Sequence, residues 1–145
     1  MERSLFFIRP EAMVHREEIF DAIKRRGLVI IYHDEVRIFK HILKALYSHV
    51  RPEVFEKLTK QLWDRQCVVG IVEGEKSIEK LVEIIGHETH PAKCHPGSLR
   101  REFGNHAPGM EHENVCHRPK TEEEFLENIK AFGFEHIHRG IPPLQ

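Results

Sequence analysis

Cys67-Val68-Val69-Gly70-Ile71-Val72 is an almost unbroken apolar run. A strand with one wet face alternates apolar and polar residues, so this run reads as a central strand buried on both faces, with helices on either side. Its neighbours agree. Upstream, Phe39, Ile42, Leu43, Leu46 and Tyr47 form the i, i+3, i+4, i+7, i+8 stripe of an amphipathic helix, and Pro52 opens a second one with Val54, Phe55, Leu58 and Leu62 inward. Downstream, Ser77 is expected to cap a helix that buries Ile78, Leu81, Val82 and Ile85 and stops at Gly86. Towards the N-terminus, Leu5 to Arg9 reads as a buried strand ended by Pro10, Glu11 to Arg26 as a helix closed by Gly27, and Leu28 to Ile38 as a strand with a wetter second half. Towards the C-terminus, Asn114 to Cys116 is a short strand, and Thr121 with Glu124 makes a capping box for a last helix burying Phe125, Ile129 and Phe132. The resulting order, β-α-β-(α-α)-β-α-loop-β-α, favours an α/β sandwich over a four-stranded sheet.

Composition bounds the rest. A chain of 145 residues suits one domain, and 40% hydrophobic against 31% charged residues, with 22 Lys+Arg against 23 Asp+Glu, argues against disorder and against a strongly basic nucleic-acid binder. No apolar run approaches the roughly 18 to 20 residues of a membrane span, and the N-terminus lacks a signal-peptide layout, so a cytoplasmic protein is expected. Cys67, Cys94 and Cys116 do not suggest a disulfide framework. The unusual feature is twelve histidines, which pose a choice between metal binding, pH sensing and catalysis. His87, His90, His95, His106 and His112 fall in the aperiodic stretch from His87 to Glu113, a length of loop that is usually functional or disordered.

Several separated motifs, in order, resemble the nucleoside diphosphate kinase family from about Glu2 to Phe132. They are Ile8-Arg9-Pro10-Glu11-Ala12, Leu46-Tyr47-Ser48-His49, Val68-Val69-Gly70-Ile71-Val72-Glu73-Gly74, Thr89-His90-Pro91 with His95-Pro96-Gly97-Ser98-Leu99-Arg100, and Asn114-Val115-Cys116-His117. The resemblance implies a ferredoxin-like βαββαβ sandwich with a four-stranded antiparallel sheet. It also implies ping-pong transfer of the γ-phosphate of ATP to a nucleoside diphosphate, with Mg²⁺ bridging the nucleotide phosphates and no metal ligand from the protein. By the same carry-over His117 is the nucleophile and Tyr47 lies beside it. Arg9, Thr89 and Arg100 contact phosphates, Val54 stands at the base site, and Asn114 holds the sugar or phosphate region. Residues 1–133 would form the kinase-like domain and 134–145 a C-terminal arm, in a homo-oligomer, hexamer or tetramer. No membrane or sequence-specific nucleic-acid partner is implied.

This sequence departs from the family pattern at several places. Arg9 stands for a lysine and Val54 for the phenylalanine that stacks on the base. Val82 or Glu83, depending on register, stands for a phosphate-binding arginine. Asn128 stands for the glutamate that orients the imidazole, and Arg118-Pro119-Lys120-Thr121 replaces Gly-Ser-Asp-Ser. Arg118 and Lys120 are candidate compensating cations. The leading reading is an altered but active kinase with low base selectivity. The alternatives are a weakened or silent module on the same scaffold, or a zinc protein using Cys94, His95, His112, Cys116 and His117.

Overall fold

The computed structural model describes residues 1–143 and bears out the four-stranded antiparallel sandwich. Strands β1 (Glu2–Ile8), β2 (Val29–Arg37), β3 (Gln66–Gly74) and β4 (Cys116–His117) lie in the order β2-β3-β1-β4. Helices α1 (Arg16–Arg25), α2 (Lys40–Tyr47), α3 (Pro52–Leu62), α4 (Ser77–Ile85), α5 (Leu99–Phe103), α6 (Glu122–Ala131) and α7 (Glu135–Gly140) connect and cover it, with 3₁₀ turns at Pro10–His15 and Pro91–Lys93. Among the described residues no helix is long and apolar enough to cross a membrane.

The apolar run is central because two cores need it. Cys67, Val69 and Ile71 join Leu5 and Phe7 of β1 against Leu43 of α2, Leu62 of α3 and Phe125 of α6. Val68 and Val72 join Phe6 and Ile8 on the other face, against Ile19 and Ile23 of α1 and Leu81 and Ile85 of α4. Gly70 interrupts the run because the Phe6 ring rests on it; a Cβ there would collide with the ring.

Four local expectations change in three dimensions. Ser77 is the first residue of α4 rather than its cap: Lys76 precedes it with φ 52°, and the Glu2 carboxylate caps the helix by accepting the Ile78 N–H at 2.8 Å. Pro10 starts a 3₁₀ turn, so α1 begins only at Arg16. The stretch from His87 to Glu113 holds a helix, α5, whose N-cap Ser98 accepts from the Arg101 N–H; one turn of helix is too short to show a periodic signal. The tail after Gly133 is no extended arm over the described residues. It folds back as α7, with Phe134 buried in the core and the Arg3 guanidinium donating to the carbonyls of His138 and Ile141, both at 2.7 Å. Leu144 and Gln145, the end of the expected arm, lie outside the described residues.

Candidate active site

One pocket of about 840 Å³ opens between the α2–α3 hairpin, the long loop and the start of α6. It gathers the motif residues expected at the site and both candidate cations. Arg9, Tyr47, Val54, Thr89 and Arg100 line it, as do Asn114, His117, Arg118 and Lys120.

The chain reaches His117 through a strained turn. Val115 has φ 76°, a left-handed conformation that β-branched residues rarely adopt. The Cys116 N–H donates back to the Asn114 carbonyl at 2.9 Å, closing a γ-turn around it, and the Val115 carbonyl accepts the Arg9 N–H at 2.8 Å. Strain of this kind amounts to about 1–3 kcal/mol and persists only where the surroundings impose it. Here they are substantial. Arg100, 4% exposed, donates from Nε to the Asn114 carbonyl (3.2 Å), from Nη1 to that of Glu88 (2.9 Å) and from Nη2 to that of Cys116 (2.9 Å). One side chain therefore clamps both flanks of the turn to the loop, while the Asn114 amide adds a bond to the Thr89 carbonyl at 3.1 Å. Gly86, at φ 136°, makes room for it: a Cβ there would come within 3.2 Å of the Arg100 side chain and 2.8 Å of the Cys94 sulfur.

Three surfaces hold the His117 ring. Phe7, its register partner on β1, stacks on it with ring centres 5.1 Å apart; Tyr47 meets it edge-on at 6.1 Å; and Nε2 lies 2.9 Å from Asn128 Oδ1. An amide oxygen can only accept, so Nε2 carries the proton and Nδ1 holds the lone pair. Burial is the main reason that the imidazole pKa is lowered to about 3, opposed by the Asn128 bond and assisted by the positive charges of Arg100, Arg118 and Arg9. The ring is thus neutral at pH 7, as a nucleophile requires. Burial also raises the Tyr47 phenol and keeps it protonated, although Arg9 and Arg100 pull the other way.

The cations around it are buried and specifically held. Arg9 is 2% exposed, with Nε on Glu11 at 2.7 Å and Nη2 on Gln61 at 2.9 Å. Burial lowers the Arg100 pKa to about 10, which leaves it charged at neutral pH. Val82 and Glu83 settle the ambiguous register as a loss in either case. Val82 is buried against a separate groove and Glu83 pairs with Arg26 at 2.6 Å, so neither joins the pocket. Arg118 enters the pocket lining from a different direction. Its Nη2 donates to the Gly86 carbonyl at 2.7 Å, at the C-terminal end of α4 where the helix dipole favours a cation, and its buried Nε has no protein partner. Lys120 is exposed; its backbone N–H is held by Glu124 at 2.7 Å. Arg101 lies outside, bonded to the Ala92 carbonyl.

The rival zinc set is not assembled. Among the described residues no three His, Cys, Asp or Glu side chains converge on a metal position, Cys94 donates to the Glu88 carbonyl at 3.2 Å, and Cys116 is wholly buried with its thiol pushed up to about 12 by that burial. Two supporting residues escaped the motifs. Phe7 and Gln61 carry no chemistry of their own, and only strand register and helix packing bring them to His117 and Arg9.

The site is a partly buried, neutral imidazole on a ferredoxin-like sandwich, facing a pocket walled by guanidinium groups. The sequence profile described as "Nucleoside diphosphate kinase" matches residues 2–137, and the chain belongs to that family. It is 32% identical to the nucleoside diphosphate kinase of Thermobifida fusca over 91% of this chain and 96% of that one, and 25% identical to that of Methanocaldococcus jannaschii over 90% and 92%. In three dimensions it is similar to the Aquifex aeolicus nucleoside diphosphate kinase (TM-score 0.79, 26% identity, covering 90% of this chain and 94% of that one). The apo enzyme of Encephalitozoon cuniculi matches with a TM-score of 0.86, covering 100% and 95%, at 21% identity, a likeness of fold alone.

Proposed function

We propose that the protein is an active nucleoside diphosphate kinase that works through a phosphohistidine at His117. The observation that carries this reading is the His117 ring, held as the Nε2–H tautomer by Asn128 at 2.9 Å with Nδ1 available in a guanidinium-lined pocket. MgATP is the substrate in this reading: the divalent ion would arrive with the nucleotide and supply charge to the phosphates, and among the described residues no three carboxylate, imidazole or thiol groups gather at a metal position. The triphosphate lies towards Arg9, Arg100 and Arg118, whose unused N–H groups meet the charge that spreads over the transferring oxygens. Nδ1 attacks the γ-phosphorus, the bond from that phosphorus to the bridging oxygen breaks, and the diphosphate leaves with the electron pair. A second nucleoside diphosphate then attacks the same phosphorus through a terminal oxygen, and the N–P bond breaks. Tyr47 packs the ring into line, Thr89 contacts the phosphates, and Asn114 holds the sugar or phosphate region.

Incubation with γ-labelled ATP tests this: an acid-labile, base-stable label should appear and be discharged by a second diphosphate, and no label would sink the reading. A silent nucleotide-binding module is the rival, favoured by the engagement of Arg9 with Glu11 and Gln61; it predicts nucleotide binding without label. The base rests against Val54. Val54→Phe is expected to lower the nucleotide Kd by roughly five- to a hundredfold, the effect of about 1–3 kcal/mol of stacking, measured by calorimetry. We further propose a cytoplasmic homo-oligomer, hexamer or tetramer.

A further inference from the structure

This inference rests on the phosphohistidine reading and concerns what the partner of the His117 ring does to the bound phosphoryl group. Each surface around the ring can be named. Phe7 from β1 and Tyr47 from α2 are uncharged, Arg9, Arg100 and Arg118 are cationic, and the neighbouring Cys116 thiol is held protonated. From α6 the contact is Asn128, 6% exposed and neutral. The carboxylates nearby are occupied or exposed: Glu11 is on Arg9 at 2.7 Å, Glu124 accepts the Lys120 N–H at 2.7 Å, and Glu123 and Glu127 are exposed at the pocket wall. The ring thus has an orienting acceptor and no negative charge in contact with it.

That matters when the N–P bond forms. Nδ1 donates its lone pair to phosphorus while Nε2 keeps its proton, so the ring takes up a unit of positive charge, and the pair from the broken P–O bond leaves on the diphosphate. A carboxylate at Nε2 would stabilise the ring charge strongly; an amide oxygen offers only a dipole, while the three guanidiniums oppose charge on the ring and favour it on the phosphate oxygens. We propose that Asn128 is a positioning residue that holds the Nε2–H tautomer without lending the ring negative charge, so that the phosphoryl group on Nδ1 is weakly held and quickly passed on.

The test pairs Asn128→Asp, nearly the same shape with a charge, with Asn128→Leu, which removes the acceptor. Two readouts are taken: ¹⁵N imidazole NMR of His117 from about pH 4 to about pH 8, and the phosphorylated fraction at an ATP:ADP ratio that leaves the wild type partly labelled. The wild-type ring is expected to remain a neutral Nε2–H tautomer across that range. Asn128→Asp should bring a titration midpoint of the ring into that range and raise its phosphoenzyme equilibrium constant by about tenfold. Asn128→Leu should mix the tautomers without raising the midpoint. A wild-type Nδ1–H tautomer, or an aspartate variant whose midpoint and phosphorylated fraction match the wild type, overturns the proposal. Absence of label from wild type and both variants overturns the phosphohistidine reading instead, and the NMR titration still decides whether Asn128 sets tautomer and charge.

Discussion

His117→Ala protein is expected to take no label from γ-labelled ATP and to lose turnover between ATP and a second diphosphate by on the order of 10⁴-fold or more, the usual consequence of deleting a covalent nucleophile. No neighbour can substitute. Tyr47 is partly buried and Cys116 fully so, and burial raises the proton affinity of both, so neither presents an anion at neutral pH. The three arginines remain in place, so nucleotide binding should persist within a few-fold, and a binding measurement separates lost chemistry from lost structure. The fold should survive, because what is lost is one partly buried ring stacked on Phe7 and one hydrogen bond to Asn128. Turnover within tenfold of the wild type would remove His117 from the mechanism.

Arg100→Ala carries the second large effect, on stability as well as activity. The substitution strips partners from the carbonyls of Glu88, Asn114 and Cys116 and releases the γ-turn at Val115. Leaving a buried acceptor unpaired amounts to about 1–3 kcal/mol, which applies most fully to the Cys116 carbonyl, since the Asn114 carbonyl keeps its bond from Cys116 and that of Glu88 its bond from the Cys94 thiol. A loss of about 3–5 kcal/mol is expected, a fall in Tm of roughly 10 °C or more by thermal melting. Arg100→Lys should restore the charge but not the stability, because an ammonium cannot reach three carbonyls spread around a planar fork. A melting temperature for Arg100→Ala within about 2 °C of the wild type would show that the clamp is not what holds the turn.

The fold was legible where information is local and periodic. The stripe of α2 and the doubly buried run of β3 each state which face is dry, and both are borne out by the two cores that meet on the sheet. Legibility failed where a distant residue decides. Glu2 caps α4 because strand pairing sets it opposite Gly74, just before the helix, and the tail closes because Arg3 reaches two carbonyls that no spacing rule connects to it.

The same division runs through the candidate site. Motif order brought Arg9, Arg100, Asn114 and His117 into one hypothesis, and the departures at Val54 and Asn128 were visible as letters. What those letters do was not. Val115 adopts a backbone conformation against its own preference because Arg100 and Arg9 bind the chain around it, an energy that only assembled contacts supply. Arg118, starting just after β4, reaches the end of α4 and donates to the Gly86 carbonyl, a contact that no spacing rule connects. The sequence by itself determined the strands and the longer helices, which faces are apolar and which histidine the motifs single out, since these depend on neighbours within a few positions. Only the tertiary structure decided which group faces His117 Nε2, the partners of the buried guanidiniums and the path of the loop, since these depend on groups brought together across the whole chain.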